Sequence, residues 1–283
     1  MLGRADIVRL KSSAAKAGKV ETEWNRKLKK AIEHYEPLVL HAIEAGIPLV
    51  FLNIDFYPLV ARHAYESMLA GLTLAESDTE ITKKVKDTKL ASRGAKLPRT
   101  LHGLKLWWDK LRRGEIVSKR IQKNADAIKT RYLEKCQSVW EKHSQPFRAG
   151  QTFNQKEVVS EIRDAARVTT SRAAMIVTTE TTNYYNTVRR NYYDASDAVT
   201  HYLFMAIRDH RTTPWCKTRS GLVYKKGSDY LKNESPACHW SCRSEIVPLV
   251  SFNPNHKKLI MDPTLQRENN TPTPLPPEWK RKP

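Results

Sequence analysis

The chain has 283 residues, of which 40% are hydrophobic and 8% aromatic, so wholesale disorder is excluded and there is room for one large domain or two smaller ones. A net charge of +19 favours an anionic partner such as nucleic acid, an acidic protein surface or a lipid headgroup layer. The four cysteines are too sparse for a disulfide scaffold.

The N-terminal segment and the most apolar stretch bear on whether the chain enters a membrane. Residues 1–21 have neither the apolar core nor the small-residue cleavage site of a secretory signal. The most apolar stretch, residues 45–60, is short and contains Asn53, Asp55 and two prolines, which are costly in hydrocarbon. We therefore expect a soluble chain with no membrane partner.

Apolar residues recur at helical spacing in the first half of the chain. Trp24, Leu28 and Ile32 follow one another at four-residue steps, which predicts a helix with one buried face. A second block over residues 101–140 keeps an approximately helical spacing around a break at Gly114. The first half is therefore predicted to be helical.

The second half combines a helix with short strands. Asn154 followed by Glu157 is typical of a capped helix start. Residues 201–207 fit either a strand or a helix, whereas residues 222–225 and 245–250 are predicted to be short strands around a loop rich in Gly, Ser, Asn and Pro.

The predicted fold class is α+β and predominantly α-helical. Residues 76–99 indicate a surface loop or linker, and residues 144–150, with a proline and a glycine, mark the clearest internal boundary. We predict a helical region with a basic middle block over 1–150 and a compact C-terminal α+β module, with short strands and a metal knot, over 151–252. Residues 253–283 are predicted to be an extended or disordered proline-rich tail.

The positive charge is concentrated in the middle of the chain. Residues 83–148 contain 19 lysines and arginines against 6 acidic residues. The densest cluster, beside Trp107 and Trp108, consists of Lys105, Lys110, Arg112, Arg113, Lys119, Arg120 and Lys123. One interpretation is a nucleic-acid-binding surface that contacts phosphates without reading sequence. The other is a solvated helical face whose indoles lie in the core.

Three of the four cysteines fall within 27 residues and are accompanied by two histidines. The candidate metal ligands are His210, Cys216, Cys238, His239 and Cys242. Zinc takes about four nitrogen or sulfur ligands in a tetrahedron, often from two loops, so this set predicts a structural Zn²⁺ site that pins the short strands together. The alternatives are free buried cysteines with surface histidines, or a disulfide.

The sequence offers no convincing active site. Asp209 and Glu245 lie near the cysteines, but neither belongs to an H-x-E or H-E-x-x-H arrangement, and there is no Walker motif or nucleophile elbow. A structural protein is therefore the first interpretation. A zinc-dependent nuclease or toxin-like effector is the alternative, and a plain nonspecific nucleic-acid-binding protein is a third.

Glu180 interrupts an apolar helical stripe. A carboxylate on such a face needs a partner because desolvating it alone is costly, and Arg211 and Arg243, beside the cysteines and histidines, are the candidates for a structural buried pair. Alternatively, the helix ends or rotates at Thr178 and Thr179 and Glu180 faces water.

Three blocks in order carry a resemblance to a known family. They are AMIVTTET at residues 174–181, DHRT at residues 209–212, and residues 236–243 leading into residues 246–248. Together they resemble the phage Mu F-like head morphogenesis (minor head protein) family, over about residues 154–250. The family pattern ends in Pro-x-His-x-x-Cys-Arg-Cys, whereas here Ser244 stands at the last cysteine.

The resemblance implies a minor capsid component of a tailed phage or prophage. Such proteins act in head assembly, associate with the portal vertex inside the capsid and are carried in few copies, in some cases contacting packaged DNA. The implied partners are the portal protein, other capsid or scaffold proteins and, nonspecifically, phage DNA. The implied location is the virion, after assembly in the host cytoplasm.

Overall fold

The computed structural model describes residues 4–78, 98, 100–148, 154–207, 209–274 and 276, with the side chains of 4–14 and 144–148 left out. It is 67% helical with a small three-stranded antiparallel sheet, which confirms the predicted, predominantly helical α+β class. No helix among these residues is both long and apolar enough to cross a membrane.

The helices are α1 (Arg4–His34), α2 (Glu36–Ala45), α3 (Tyr57–Glu76), α4 (Leu101–Arg112), α5 (Lys119–Arg148), α6 (Gln155–Asp194), α7 (Pro214–Arg219), α8 (Asp229–Glu234) and α9 (Pro254–Met261), with 3-10 turns at Leu49–Phe51 and Arg267–Asn269. The strands are β1 (Val199–Met205), β2 (Val223–Lys225) and β3 (Glu245–Val250). The segment that was ambiguous between strand and helix is therefore mostly strand β1.

Helix ends agree with several of the predicted breaks. Gly114 follows the end of α4 with a φ of 75°, which confirms the predicted break there. α5 ends within the predicted boundary at residues 144–150. Of the loop predicted at residues 76–99, residues 79–97 and 99 lie outside the described residues.

The chain forms two compact units whose segments alternate along the sequence. Unit 1 consists of Met1–Val20, Ala64–Arg113 and Thr178–Pro283, and unit 2 of Glu21–His63 and Gly114–Val177. The long helices α1, α3 and α6 each contribute residues to both units. The division predicted after residue 150 falls inside unit 2, because a helical pattern reports a buried face but not the elements that bury it.

Unit 2 is helical and holds the stripe predicted on α1. The buried residues of that stripe are Trp24, Leu28 and Ile32. α2 packs against α5 and ends at Gly46, whose left-handed φ of 64° lets Ile47 donate its N–H to the carbonyl of Ala42 at 2.7 Å. Trp140 of α5 donates its indole hydrogen to the carbonyl of Ile47 at 3.0 Å. This hydrogen bond holds α5 against the residue that follows the C-terminal end of α2.

Unit 1 contains the sheet, in the order β2-β1-β3 with both pairings antiparallel. Leu203 of β1 lies opposite Val223 of β2 and Val247 of β3. These three residues form a buried apolar cluster with Leu249 and Leu259. The cluster covers one face of the sheet and anchors α9, which supplies Leu259.

α3 and α6 approach one another closely within unit 1. A Cβ built on Gly71 of α3 would lie 2.7 Å from the carbonyl oxygen of Tyr185 and 2.9 Å from Cγ2 of Val188. Such distances are too short for a side chain, so this crossing requires a glycine. The close approach fixes the part of α6 that supports the candidate site.

The prediction of a tail beginning at residue 253 is wrong. Residues 254–261 form α9, and Gln266 makes a parallel bridge with Val223 of β2. Leu259 belongs to the apolar cluster of the sheet, and Leu265 packs against that cluster. The prolines that suggested a tail are concentrated only after Thr271.

Candidate functional site

Cys216 lies in the first turn of α7, and the sequence around it explains why. Thr213 caps the helix by accepting the N–H of Cys216 at its Oγ1 over 3.3 Å. Pro214 occupies the first helical position, where no N–H donor is needed. Trp215 and Cys216 are both buried, so the capped turn directs the thiol inward.

A second loop, residues 239–244, is held against α6 by threonine side chains. Thr179 accepts the N–H of Ser241 at its Oγ1 over 2.8 Å. Thr182, one helical turn later, donates its hydroxyl hydrogen to the carbonyl of Cys242 over 2.6 Å. Both threonines are buried, and each satisfies a loop backbone group that would otherwise be costly to bury.

Asn186 extends this row of polar side chains by another turn. Its Nδ2 donates to the carbonyl of Ser244 over 3.1 Å, and its Oδ1 accepts the N–H of Ile246 over 3.2 Å. Sequence reasoning missed Thr179, Thr182 and Asn186 as positioning residues. Their spacing on a buried helical face was the available signal, because a polar residue there needs a partner from another segment.

The two loops bring together Cys216, His239 and Cys242. The ligand atoms of these three side chains all lie within 4.8 Å of one another, and Nε2 of His239 lies 2.9 Å from Sγ of Cys216. All three residues are buried. Nδ1 of His239 lies 2.8 Å from the carbonyl oxygen of Trp240, which can only accept, so Nδ1 carries a hydrogen.

The pKa values of Cys216, His239 and Cys242 depend on one another, because the three side chains are in direct contact. The hydrogen bond with Cys242, together with burial, raises the pKa of the Cys216 thiol well above its ordinary value. The same hydrogen bond lowers the pKa of Cys242, although burial opposes this. Burial disfavours the charged form of His239, but the hydrogen bond to Cys216 outweighs it and raises the pKa of His239. The cluster therefore favours negative charge on Cys242.

A small cavity of about 10 Å³, which is about the space of one water molecule, adjoins the cluster. Its lining comprises Ile207, Arg211, Thr212, Thr213, Cys216, His239, Ser241, Arg243 and Ser244. Two arginines thus face the same space as a thiol and an imidazole. This combination suits an anion or a metal-bound ligand.

Two of the five predicted metal ligands, His210 and Cys238, are not members of this group. His210 is exposed. Cys238 is half-buried and donates its thiol hydrogen to the carbonyl of Ser235 over 2.8 Å. Among the described residues, the group that contains Cys216 and Cys242 includes His239 but neither of these two.

A zinc-dependent nuclease would need a carboxylate as general base, and the two carboxylates near the cysteines, Asp209 and Glu245, are both paired with arginines. Arg243 donates from both terminal nitrogens to Asp209, over 2.7 and 2.8 Å, and its hydrogen bond holds the pKa of Asp209 well below the ordinary value. Arg189 donates to Glu245 over 2.8 Å. Because both groups are committed to ion pairs, neither is poised as a general base.

Glu180 is only 1% exposed within the continuous helix α6, which contradicts the alternative that it faces water. Asn183 donates to its Oε2 over 3.5 Å. Of the two predicted partners, Arg243 lies in the ion pair with Asp209, and Arg211 is exposed. The pairing of Glu180 with either arginine stays a prediction.

The seven cations of the basic cluster are all exposed. Unit 1 carries Lys105, Lys110, Arg112 and Arg113, and unit 2 carries Lys119, Arg120 and Lys123. Trp107 and Trp108 are half-buried, and the ring of Trp108 lies 4.9 Å from that of Tyr65. The indoles are thus partly covered, while the cationic groups face solvent.

Comparison with known proteins agrees with the blocks around this site. Residues 137–247 match the family model described as Phage Mu protein F like protein. This part of the chain is phage Mu F-like. The matched residues make up about two fifths of the chain and include Cys216, His239 and Cys242, whereas the basic cluster precedes them. No curated protein and no solved structure matches the chain.

This Mu F-like region supports a phage head-morphogenesis protein. Capsid-related partners in general and a location in the virion follow from the same family. The resemblance on the three sequence blocks is confirmed by the match, which extends from the last part of α5 over α6, β1 and β2 into the first residues of β3.

Proposed function

We propose that this Mu F-like protein is a minor capsid protein of a tailed phage or prophage, that it acts in head assembly near the portal vertex, and that it contacts packaged DNA without sequence preference. The observation that carries the proposal is the family match over residues 137–247. Association with the portal is what the resemblance implies, and it includes contact with other capsid or scaffold proteins.

The DNA contact is supported by the seven exposed cations of the basic cluster. Long cationic side chains gain free energy by releasing condensed counterions from DNA, and this gain requires no base-specific contact. An internal head protein lies against dense polyanion, and an exposed basic cluster fits that environment. The cations are exposed groups on α4, at Arg113 directly after it, and on the first turns of α5.

The test is quantitative mass spectrometry of purified, DNA-filled particles, with the portal protein as the internal standard. We expect a few copies of this chain per portal ring. The matched control is a phage from which the gene is deleted. The number of heads that it assembles is compared with the number that the wild-type phage assembles. Normal numbers of infectious heads without the gene would contradict a role in head assembly.

A second measurement places the protein within the particle. Cross-linking of intact heads should join this chain to the portal protein more than to the major capsid protein. If the chain assembles heads but is absent from finished particles, it is a transient assembly factor, and the proposed minor capsid role is wrong.

A further inference from the structure

The cluster formed by Cys216, His239 and Cys242 has the donor set of a zinc site. We propose that these three side chains bind one Zn²⁺ ion, through the two Sγ atoms and Nε2 of His239, and that the fourth coordination position faces the adjacent cavity. The proposal does not depend on a role in head assembly, and it gives the predicted zinc site a specific ligand set.

The chemistry of the donors selects the class of metal. Thiolates and imidazole suit Zn²⁺, whereas Mg²⁺ and Ca²⁺ require oxygen ligands. The three ligand atoms lie within 4.8 Å of one another and the residues are buried. Zinc takes four ligands in a tetrahedron, so three protein donors leave one coordination position for solvent or another small ligand.

The orientation of His239 suits a metal ligand. Its Nδ1–H points at the carbonyl oxygen of Trp240 at 2.8 Å, so the lone pair of the neutral ring is on Nε2, the atom 2.9 Å from Sγ of Cys216. Metal-binding histidines characteristically donate their other ring N–H to a carbonyl or carboxylate, which fixes the tautomer and the ring plane.

The surrounding fold holds the donors in place. The cap at Thr213 fixes Cys216, and the hydroxyl of Thr182 fixes the backbone of Cys242. These contacts belong to the folded protein, so the ligands are presented together in one geometry. Preorganisation of this kind favours metal binding because little loop entropy remains to be lost.

The fourth position is argued from the cavity. Ser244 lines the cavity and its hydroxyl hydrogen-bonds to Cys242, and Arg211 and Arg243 line the same space. No fourth cysteine, histidine or carboxylate belongs to this group among the described residues. Solvent or a small anion therefore completes the tetrahedron; Arg211 favours an anion, whereas the charge of Arg243 is compensated by Asp209.

The first test uses the reduced, full-length wild-type protein. Elemental analysis should find one zinc per chain, and replacement by Co²⁺ should give thiolate-to-cobalt charge-transfer absorption with the intense visible bands of tetrahedral cobalt. A folded, reduced protein with no stoichiometric zinc and no tetrahedral cobalt spectrum would overturn the proposal, as would a stable Cys216–Cys242 disulfide in protein isolated without oxidant.

Ligand assignment follows from matched substitutions. Cys216→Ser, Cys242→Ser and His239→Gln should each lose stoichiometric zinc, whereas Cys238→Ser and His210→Gln should keep it with an unchanged cobalt spectrum. Circular dichroism identifies variants that fail to fold, and the wild-type spectrum does not depend on them. Loss of zinc in Cys238→Ser equal to that in Cys242→Ser would show that the ligand set is wrong.

The open position has its own test. Adding azide to the cobalt-loaded wild type should shift its visible bands, because azide replaces solvent at the fourth position. Ser244→Cys should supply a third thiolate, strengthen the charge-transfer band and abolish the response to azide. A wild-type spectrum indifferent to azide would show a closed site and contradict the open position.

Discussion

The hydroxyl of Thr182 in α6 donates to the carbonyl oxygen of Cys242 at 2.6 Å. Sixty residues separate the two, and both are buried. The bond ties the long helix of the Mu F-like region to the loop that carries two of the three clustered ligands. Together with Thr179 and Asn186, this hydroxyl holds in place a loop that has no regular secondary structure of its own.

Replacing this hydroxyl should destabilise unit 1. Thr182→Val keeps the shape of the side chain but leaves the Cys242 carbonyl without its hydroxyl donor, at a cost of about 1–3 kcal/mol. Urea unfolding of variant and wild type measures it. Thr170→Val on the same helix is the control, since its hydroxyl bonds only to the carbonyl of Ala166. Equal midpoint shifts would contradict a special role for Thr182.

The helix crossing at Gly71 gives a prediction with an internal control. Gly71→Ala places a methyl group 2.7 Å from the Tyr185 carbonyl oxygen, and the forced separation should destabilise the protein by about 1–3 kcal/mol. Gly18→Ala, in α1 with open space around its Cβ, should instead stabilise it by about 0.5–1 kcal/mol. Thermal unfolding measures both, and destabilisation by both substitutions would contradict the packing argument.

The hydrogen bonds of Glu234 predict that part of the free energy of unfolding is lost in acid. Burial raises the pKa of Glu234, but hydrogen bonds from Arg267, Arg219 and Tyr224 outweigh it and lower the pKa to about 2. The folded pKa is below the unfolded one, so the stabilisation is present above about pH 4.5 and is lost as the pH falls toward 2. Glu234→Gln should therefore cost on the order of 3 kcal/mol at pH 7 and much less near pH 2.

Urea midpoints of Glu234→Gln and wild type across that pH range measure this effect. Asp229→Asn, on the exposed face of the same helix, serves as the control and should not change the pH dependence resolvably. A difference between Glu234→Gln and wild type that stays constant from pH 7 to pH 2 would contradict the assigned pKa.

Burial of Glu180 predicts a large effect of truncation. If Glu180 forms a buried pair with an arginine, Glu180→Ala should destabilise the protein by on the order of 3 kcal/mol, because breaking such a pair leaves one charge uncompensated. Double-mutant cycles with Arg243→Ala and with Arg211→Ala identify the partner, since only a true pair shows a coupling energy. A loss within ordinary surface scatter, with no coupling in either cycle, would contradict a buried pair.

The basic cluster predicts a specific salt dependence of DNA binding. Lys105→Ala/Lys110→Ala on α4 should reduce the slope of log K against log salt by about 1.8, since each phosphate contact contributes about 0.9. Lys257→Ala/Lys258→Ala on α9 removes the same charge from exposed positions outside the cluster. Fluorescence anisotropy with random-sequence duplexes measures both slopes, and equal reductions would show that net charge alone matters.

Much of the local structure was accessible from the sequence. The stripe through Trp24 and Ile32 predicted a buried helix face, and Gly114 predicted a break, because both signals depend only on neighbours along the chain. The same holds for the start of the helix before Glu157, where Asn154 accepts the N–H of Glu157 over 3.3 Å. Periodicity, however, does not report which elements bury a face.

By itself, the sequence determined the helical α+β class, the exposed basic cluster, the three Mu F-like blocks and a short set of candidate ligands. Only the tertiary structure decided that His239 rather than His210 lies beside Cys216, that residues 254–269 pack as ordered structure, and that the two units alternate along the chain. The physical reason is that helix periodicity and capping are local, whereas burial and side-chain clustering depend on contacts between residues far apart in sequence.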